Sequence, residues 1–155
     1  MRRIICVGNR HSAADAAGPL VYERLARMER PLDIEVIDGA LAGLDLLRFV
    51  EQAERVVFVD AVRAGGSRGR VVVLTADEAA ENAPEIYDHS AGLAYLLRAL
   101  RCVSEGPLPE IWVVGIEGIP EGETIKTAAD LCLSIAAEGY RAARQHTAPA
   151  CGAPA

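Results

Sequence analysis

Two carboxylates and an imidazole follow apolar runs in this chain. Asp15 comes after Ile4-Ile5-Cys6-Val7, and Asp60 comes directly after Val56-Val57-Phe58-Val59. His89, between Asp88 and Ser90, follows Val71-Val72-Val73-Leu74 and a polar stretch. Two carboxylates and one imidazole make an O/O/N donor set. That set suits nickel, zinc, iron or copper, whereas an all-oxygen set suits magnesium or calcium. Each residue also has a plain structural use. Asp15 could satisfy free N–H groups at a helix start. Asp60 could cap a loop at a strand end, and His89 could share a helix cap with Asp88 and Ser90. His11 could wall the same site or be an exposed loop residue, and His146 reads as exposed.

Other chemistries lack their signatures. Gly8-Asn9-Arg10 is not a dinucleotide-binding fingerprint, and no GxxxxGK[ST] phosphate loop occurs. Gly65-Gly66-Ser67-Arg68-Gly69 has the G-x-S-x-G spacing but is read as a loop rather than the strand-to-helix elbow of a nucleophilic serine. Cys6, Cys102, Cys132 and Cys151 form no CxxC pair and no cluster at zinc spacing. None follows a strand where a nucleophile would stand, and Cys6 and Cys132 read as small buried hydrophobes of a reducing compartment. Lys and Arg total 16 against 22 Asp and Glu, a net charge of -6, so a basic face for nucleic acid is not expected. Aromatic residues, at 5%, are too few for base-stacking platforms. No apolar run approaches the ~18 residues that span a bilayer, and the stretch after Arg2-Arg3 is too short for a signal peptide. A cytoplasmic chain without membrane insertion is expected.

The elements that must position these residues alternate in period. Short apolar runs at Ile4–Val7, Ile34–Ile37, Val56–Val59, Val71–Leu74 and Ile111–Val114 predict buried strands. The second is read as stopped by Asp38-Gly39 and the third as ending on Asp60. Val21, Leu25 and Met28 repeat at helical spacing behind Gly18-Pro19. Residues 41–50 predict a short helix, Leu93, Leu97 and Leu100 a helix opening at Ser90, and Ala128, Leu131, Ile135, Gly139 and Ala142 a last one. Thr127 and Asp130 resemble its capping box. Residues 64–69 read as a loop. At 155 residues this is one domain, spanning 1–146, with a disordered tail over 147–155. The expected architecture is a three-layer α/β domain, with a mostly parallel, mixed five-stranded sheet and helices on both faces. Ligands in such sheets bind beyond the carboxyl ends of the strands, where Asp15, Asp60 and His89 fall.

Five motifs, in order from about residue 3 to 146, resemble the hydrogenase maturation endopeptidases. They are Val7-Gly8-Asn9 with an acid six residues on and then Gly18; Val36-Ile37-Asp38-Gly39 running to Gly43-Leu44; Val57-Phe58-Val59-Asp60 followed by Gly65, Gly66 and Gly69; Asp88-His89-Ser90; and Trp112-Val113-Val114-Gly115-Ile116-Glu117. The resemblance implies an endopeptidase that removes a C-terminal extension from the large-subunit precursor of a nickel–iron hydrogenase after nickel insertion. Carried over by motif, the nickel-recognising and catalytic residues are Asp15, Asp60 and His89. The nickel arrives with the substrate, and no organic cofactor is implied. Asn9, Asp38 and Gly39 are expected on the cleft wall; the alternative for Asp38-Gly39 is a tight turn only. The metal either positions the scissile bond while a carboxylate acts as base to a water, or polarises the carbonyl or activates the water itself. The family's customary pair of adjacent acids is reduced here to Ala14-Asp15. Where the family carries Glu at the ligand position, Asp15 is shorter by one methylene, ~1.5 Å of reach. The exit segment 118–124 also departs from the commoner family pattern. The alternative from another class is a cation- or nucleotide-binding α/β module without peptidase activity.

Overall fold

The computed structural model describes residues 1–62, 69–81 and 92–146. The strands are β1 (Arg2–Val7), β2 (Ile34–Ala40), β3 (Arg55–Val62), β4 (Val71–Thr75) and β5 (Glu110–Glu117). They form one sheet in the order β2-β1-β3-β5-β4. Every adjacent pair is parallel except β4 with β5, which is antiparallel. The α-helices are α1 (Ala17–Ala26), α2 (Leu47–Glu51), α3 (Ala76–Glu81), α4 (Gly92–Val103), α5 (Gly122–Glu138) and α6 (Tyr140–Arg144). This is the mixed α/β architecture expected, and among the described residues no helix is long and apolar enough to cross a membrane.

The continuous apolar runs of β1, β3 and β5 follow from their places inside the sheet, where both faces are covered. On one face, Ile4, Cys6, Val57, Val59, Val114 and Ile116 pack against Val21 and Leu25 of α1 and Leu131, Cys132 and Ile135 of α5. On the other, Ile5, Val56, Phe58 and Val113 pack against Val50 of α2 and Leu93, Leu96, Leu97 and Leu100 of α4. Cys6 and Cys132 are buried, as expected, and burial pushes both thiols far up, out of thiolate chemistry. Cys151 lies outside the described residues, as do the proposed tail 147–155 and most of the loop 64–69. At the opposite edge of the sheet Arg2 and Arg55 donate to the carbonyls of Ala137 (2.9 Å) and Ala136 (2.8 Å), in the last turn of α5. Cations there complement the negative helix end.

Several boundaries differ from expectation. Asp38 and Gly39 are strand residues, because β2 continues to Ala40 with Asp38 in register with Cys6. Strand β3 likewise runs past Asp60 to Val62, held by the β5 ladder. Thr127 is no cap: α5 starts five residues earlier at Gly122, behind an extended Glu121 (φ -98°, ψ 168°). A capping box does form where none was expected, at Thr75–Glu78. The Glu78 N–H donates to Thr75 Oγ1 (3.2 Å) and the Thr75 N–H donates to Glu78 Oε2 (2.8 Å). That box starts the unexpected α3. The predicted last helix breaks at Gly139 (φ 64°), which separates α5 from α6. Residues 43–46 form a 3-10 turn ahead of α2 rather than one helix over 41–50.

Two backbone positions yield a stability test. A Cβ on Gly18 would lie 1.9 Å from the Val7 carbonyl oxygen, where the start of α1 meets the end of β1. Ala40, by contrast, is held at φ 41°, which favours glycine. Gly18→Ala is expected to lose ~3 kcal/mol or more, a fall in Tm of ~6–12 °C. Ala40→Gly is expected to leave stability unchanged or raise it by up to ~1 kcal/mol, strain relief offsetting the added backbone entropy. Urea unfolding of both variants checks the pair.

Candidate functional site

The sheet order places a crevice between the carboxyl ends of β1 and β3. From β1 the chain turns to β2 on one side, and from β2 it crosses to β3 on the other. Helices α1 and α2 carry those crossings on opposite faces. The strand ends therefore splay apart at a topological switch point, the general ligand crevice of such sheets.

Asp15 reaches this crevice through a tight turn. Gly8 leaves β1 at φ 137°, and a Cβ there would stand 2.3 Å from the Asp15 carbonyl oxygen. The Asn9 N–H is shared between that carbonyl (2.9 Å) and the carboxylate Oδ2 of Asp15 (3.0 Å). Asn9 Oδ1 in turn accepts the His11 N–H at 2.9 Å. Asp15 ends a 3-10 turn over Ala13–Asp15, and α1 starts behind Ala16 with no side-chain cap. So the carboxylate does not cap α1; it braces the loop and leaves its other oxygen unclaimed by any described hydrogen bond.

Asp60 stands across the crevice on β3, in register with Gly115 of β5. Its Oδ1 accepts the N–H of Ala61 at 2.8 Å. Burial, and then the charge of Asp15, push its carboxyl up to about 8, with the Ala61 N–H opposing the rise. Asn9, Asp15 and Asp60 line one cavity of about 390 Å³ together with Leu41, Leu46, Leu93 and Leu96. A dry, mostly apolar hollow with a few converging polar groups is the usual form of a ligand site. Its apolar walls were not among the expected site residues; their signal was the leucine spacing of α4, which reads equally as core.

Of the expected cleft residues, Asn9 lines this cavity, while Asp38 and Gly39 stand two residues and one residue before its lining residue Ala40. Asp38 pairs with Arg10 at 2.7 Å, joining the first loop to the end of β2 beside the opening. Both partners are solvent-accessible, so the pair adds little stability. His89 lies outside the described residues; Gly92, three positions later in sequence, lines the cavity. Among the described residues no group of three His, Cys, Asp or Glu side chains could hold a metal ion. Asp15 and Asp60 are therefore a pair, able to supply two oxygen ligands. His11 and His146 are exposed.

Known proteins share both the sequence pattern and this architecture. A family model described as hydrogenase maturation protease matches residues 19–131. The hydrogenase 2 maturation protease of Escherichia coli is 32% identical over 121 residues, covering 76% of this chain and 72% of that protein. Protein HydD of Wolinella succinogenes is 32% identical over 114 residues, 71% of this chain and 68% of its own length. The solved structure of the hydrogenase maturating endopeptidase HybD from E. coli superposes with a TM-score of 0.75 at 27% identity, covering 90% of this chain and 94% of that one.

The strained carboxyl makes stability depend on pH. Folded Asp60 holds its proton to about pH 8, whereas an ordinary aspartate releases it near 3.8. The stability this group contributes is whole below the lower value and is lost as the pH climbs through the upper one. Asp60→Asn is therefore expected to be more stable than the parent at pH 8, by on the order of 2–3 kcal/mol, with the gap closing towards pH 4. Thermal unfolding of both proteins across that range checks the sign and the window.

Proposed function

This chain belongs to the hydrogenase maturation protease family, and on that premise we propose that it removes the C-terminal extension from the nickel-loaded large-subunit precursor of a nickel–iron hydrogenase, in the cytoplasm. The observation that carries this reading is the placing of Asp15 and Asp60 on one cavity at the switch point. Burial and the neighbouring charge of Asp15 disfavour the ionised form of Asp60, and a divalent cation relieves that cost. The pair thus suits a metal that arrives already bound to the precursor. Two carboxylates are too few for a tight resident metal, so the precursor supplies the remaining ligands.

His89 is the third ligand in this proposal, three residues ahead of the cavity-lining Gly92 in the chain. The protein's own part is positional. Asn9 fixes Asp15 through its backbone N–H, and the Ala61 N–H fixes Asp60. Leu41, Leu46, Leu93 and Leu96 give the cavity an apolar wall beside these acids. The scissile bond is then held beside the metal at high effective concentration. A water, activated either by the metal or by a carboxylate of the site, attacks it.

The deciding experiment incubates the purified protein with nickel-loaded and nickel-free precursor and follows the loss of the extension by mass. Cleavage is expected only of the nickel-loaded form, and casein is expected to stay intact; cleavage of casein or of the nickel-free form overturns the proposal. Asp15→Glu is expected to retain processing, whereas Asp15→Asn, Asp60→Asn and His89→Ala are expected to lose it by ~100-fold or more while remaining folded. Full activity in Asp15→Asn removes that residue from the site, since Asn keeps the shape and loses only the charge.

A further inference from the structure

Strand β5 ends on Glu117, which is 3% exposed, and among the described residues neither oxygen of its carboxylate has a hydrogen-bond partner. Among the described residues it is the one buried charged side chain. Its main chain is fully engaged: the Glu117 N–H donates to the Arg70 carbonyl (2.9 Å), and its own carbonyl accepts the Gly69 N–H (2.8 Å). A carboxylate only accepts hydrogen bonds, and stranding one away from water without a donor is costly. Buried polar groups left unsatisfied in a native fold call for an explanation in function.

The register gives its place. Phe58 and Val113 are partners across β3 and β5, and both pack on the face covered by α2 and α4. Alternation puts Asp60, Val62, Gly115 and Glu117 on that same face, with Asp60 opposite Gly115 and Val62 opposite Glu117. One strand across and two residues along, the Cα atoms of Asp60 and Glu117 are ~8 Å apart, about two residues of extended peptide. The strip between them is apolar. A Cβ on Gly115 would lie 2.6 Å from a Val62 methyl and 3.0 Å from a Val72 methyl, so valine side chains fill that space and supply no donor.

We infer that Glu117 is a specificity-determining residue: its carboxylate receives a positively charged side chain of the precursor, about two residues along the extended chain from the one that meets Asp60. This rests on the reading of the protein as a precursor-processing endopeptidase. A free calcium or magnesium ion needs six or more oxygens and finds one carboxylate. A rigid partner surface does not reach a group this deep. A Lys or Arg side chain does, because its long stem crosses apolar surface and delivers the charge at its tip. Val62 beside Glu117 is only partly buried and the next residue, Gly118, is exposed, so the chain around the carboxylate reaches the surface. Rotamer changes of the kind common on binding are enough to meet the cation.

The test compares wild type with Glu117→Gln, which keeps the volume and removes the charge. The substrates are nickel-loaded precursors in which each Lys, Arg or His within three residues of the cleavage site is replaced singly by Gln. Glu117→Gln is expected to raise KM by at least ~30-fold on the natural precursor with kcat within ~2-fold. One substituted precursor is expected to show the same loss with wild type and no further loss with Glu117→Gln. Equal processing by both proteins, or an equal loss on every precursor, overturns the inference. The free protein gives a second readout: Glu117→Gln is expected to raise Tm by ~3 °C, since it relieves an unpaired buried charge. A lower Tm means that the carboxylate serves the fold itself and overturns the inference. Calorimetry with the precursor's C-terminal peptide separates the two readings. Tight binding that depends on Glu117, without cleavage by wild type, sinks the endopeptidase reading alone; binding that is unchanged in Glu117→Gln sinks the specificity role alone.

Discussion

The withdrawal of the Asp60 carboxyl from water at the carboxyl edge of the sheet, beside the charge of Asp15, is the constraint on which the site of this protein depends. Asp60 carries a carboxyl raised to about 8 by burial and by Asp15. Neither residue can relax away. Asp60 is held by its pairing with Gly115 in the β5 ladder, and Asp15 is tied to Asn9 by both its main chain and its side chain. The fold thus keeps a carboxyl in a place that disfavours its charge.

The stability that tolerates this site is distributed through the rest of the domain. Two apolar layers sandwich the central strands, and Arg2 and Arg55 secure the far end of the sheet to the last turn of α5. The packing of α1 onto the end of β1, possible only with Gly18, sets how closely the Asp15 loop approaches β3. Function sits at the carboxyl edge and structural reinforcement at the amino edge, a division that parallel sheets impose because their loops and helix ends differ at the two edges. Glu117 extends the same logic along β5. It is another acid at a strand end, held in a place where the free protein gains nothing from it.

Leucines from the second crossover and from α4 line the same cavity as Asp15 and Asp60. In the proposed function, a nickel-loaded precursor completes the charges of this site and an unloaded one does not.

Sequence by itself determined the strands, the layer order and the family. Continuous apolar runs identified the five strands, although those at Ile34–Ile37 and Val71–Leu74 form the edge strands β2 and β4 rather than buried ones, and acids that follow a parallel strand fall at the carboxyl edge. Asp15 and Asp60 were legible for that reason. Glu117 gives the same signal, an acid ending an apolar run, and only burial without a donor separates it from an ordinary strand-end acid. Tertiary structure decided what local pattern cannot carry. Ladder pairing extended β2 through Asp38 and Gly39 and β3 past Asp60, and packing chose Thr75–Glu78 over Thr127–Asp130 as the capping box. The raised carboxyl of Asp60 is likewise a product of the fold, because it depends on two residues 45 positions apart meeting across the switch point. Local sequence sets which residues want to be buried or to turn, whereas charge interaction and register depend on distances that exist only once the sheet has closed.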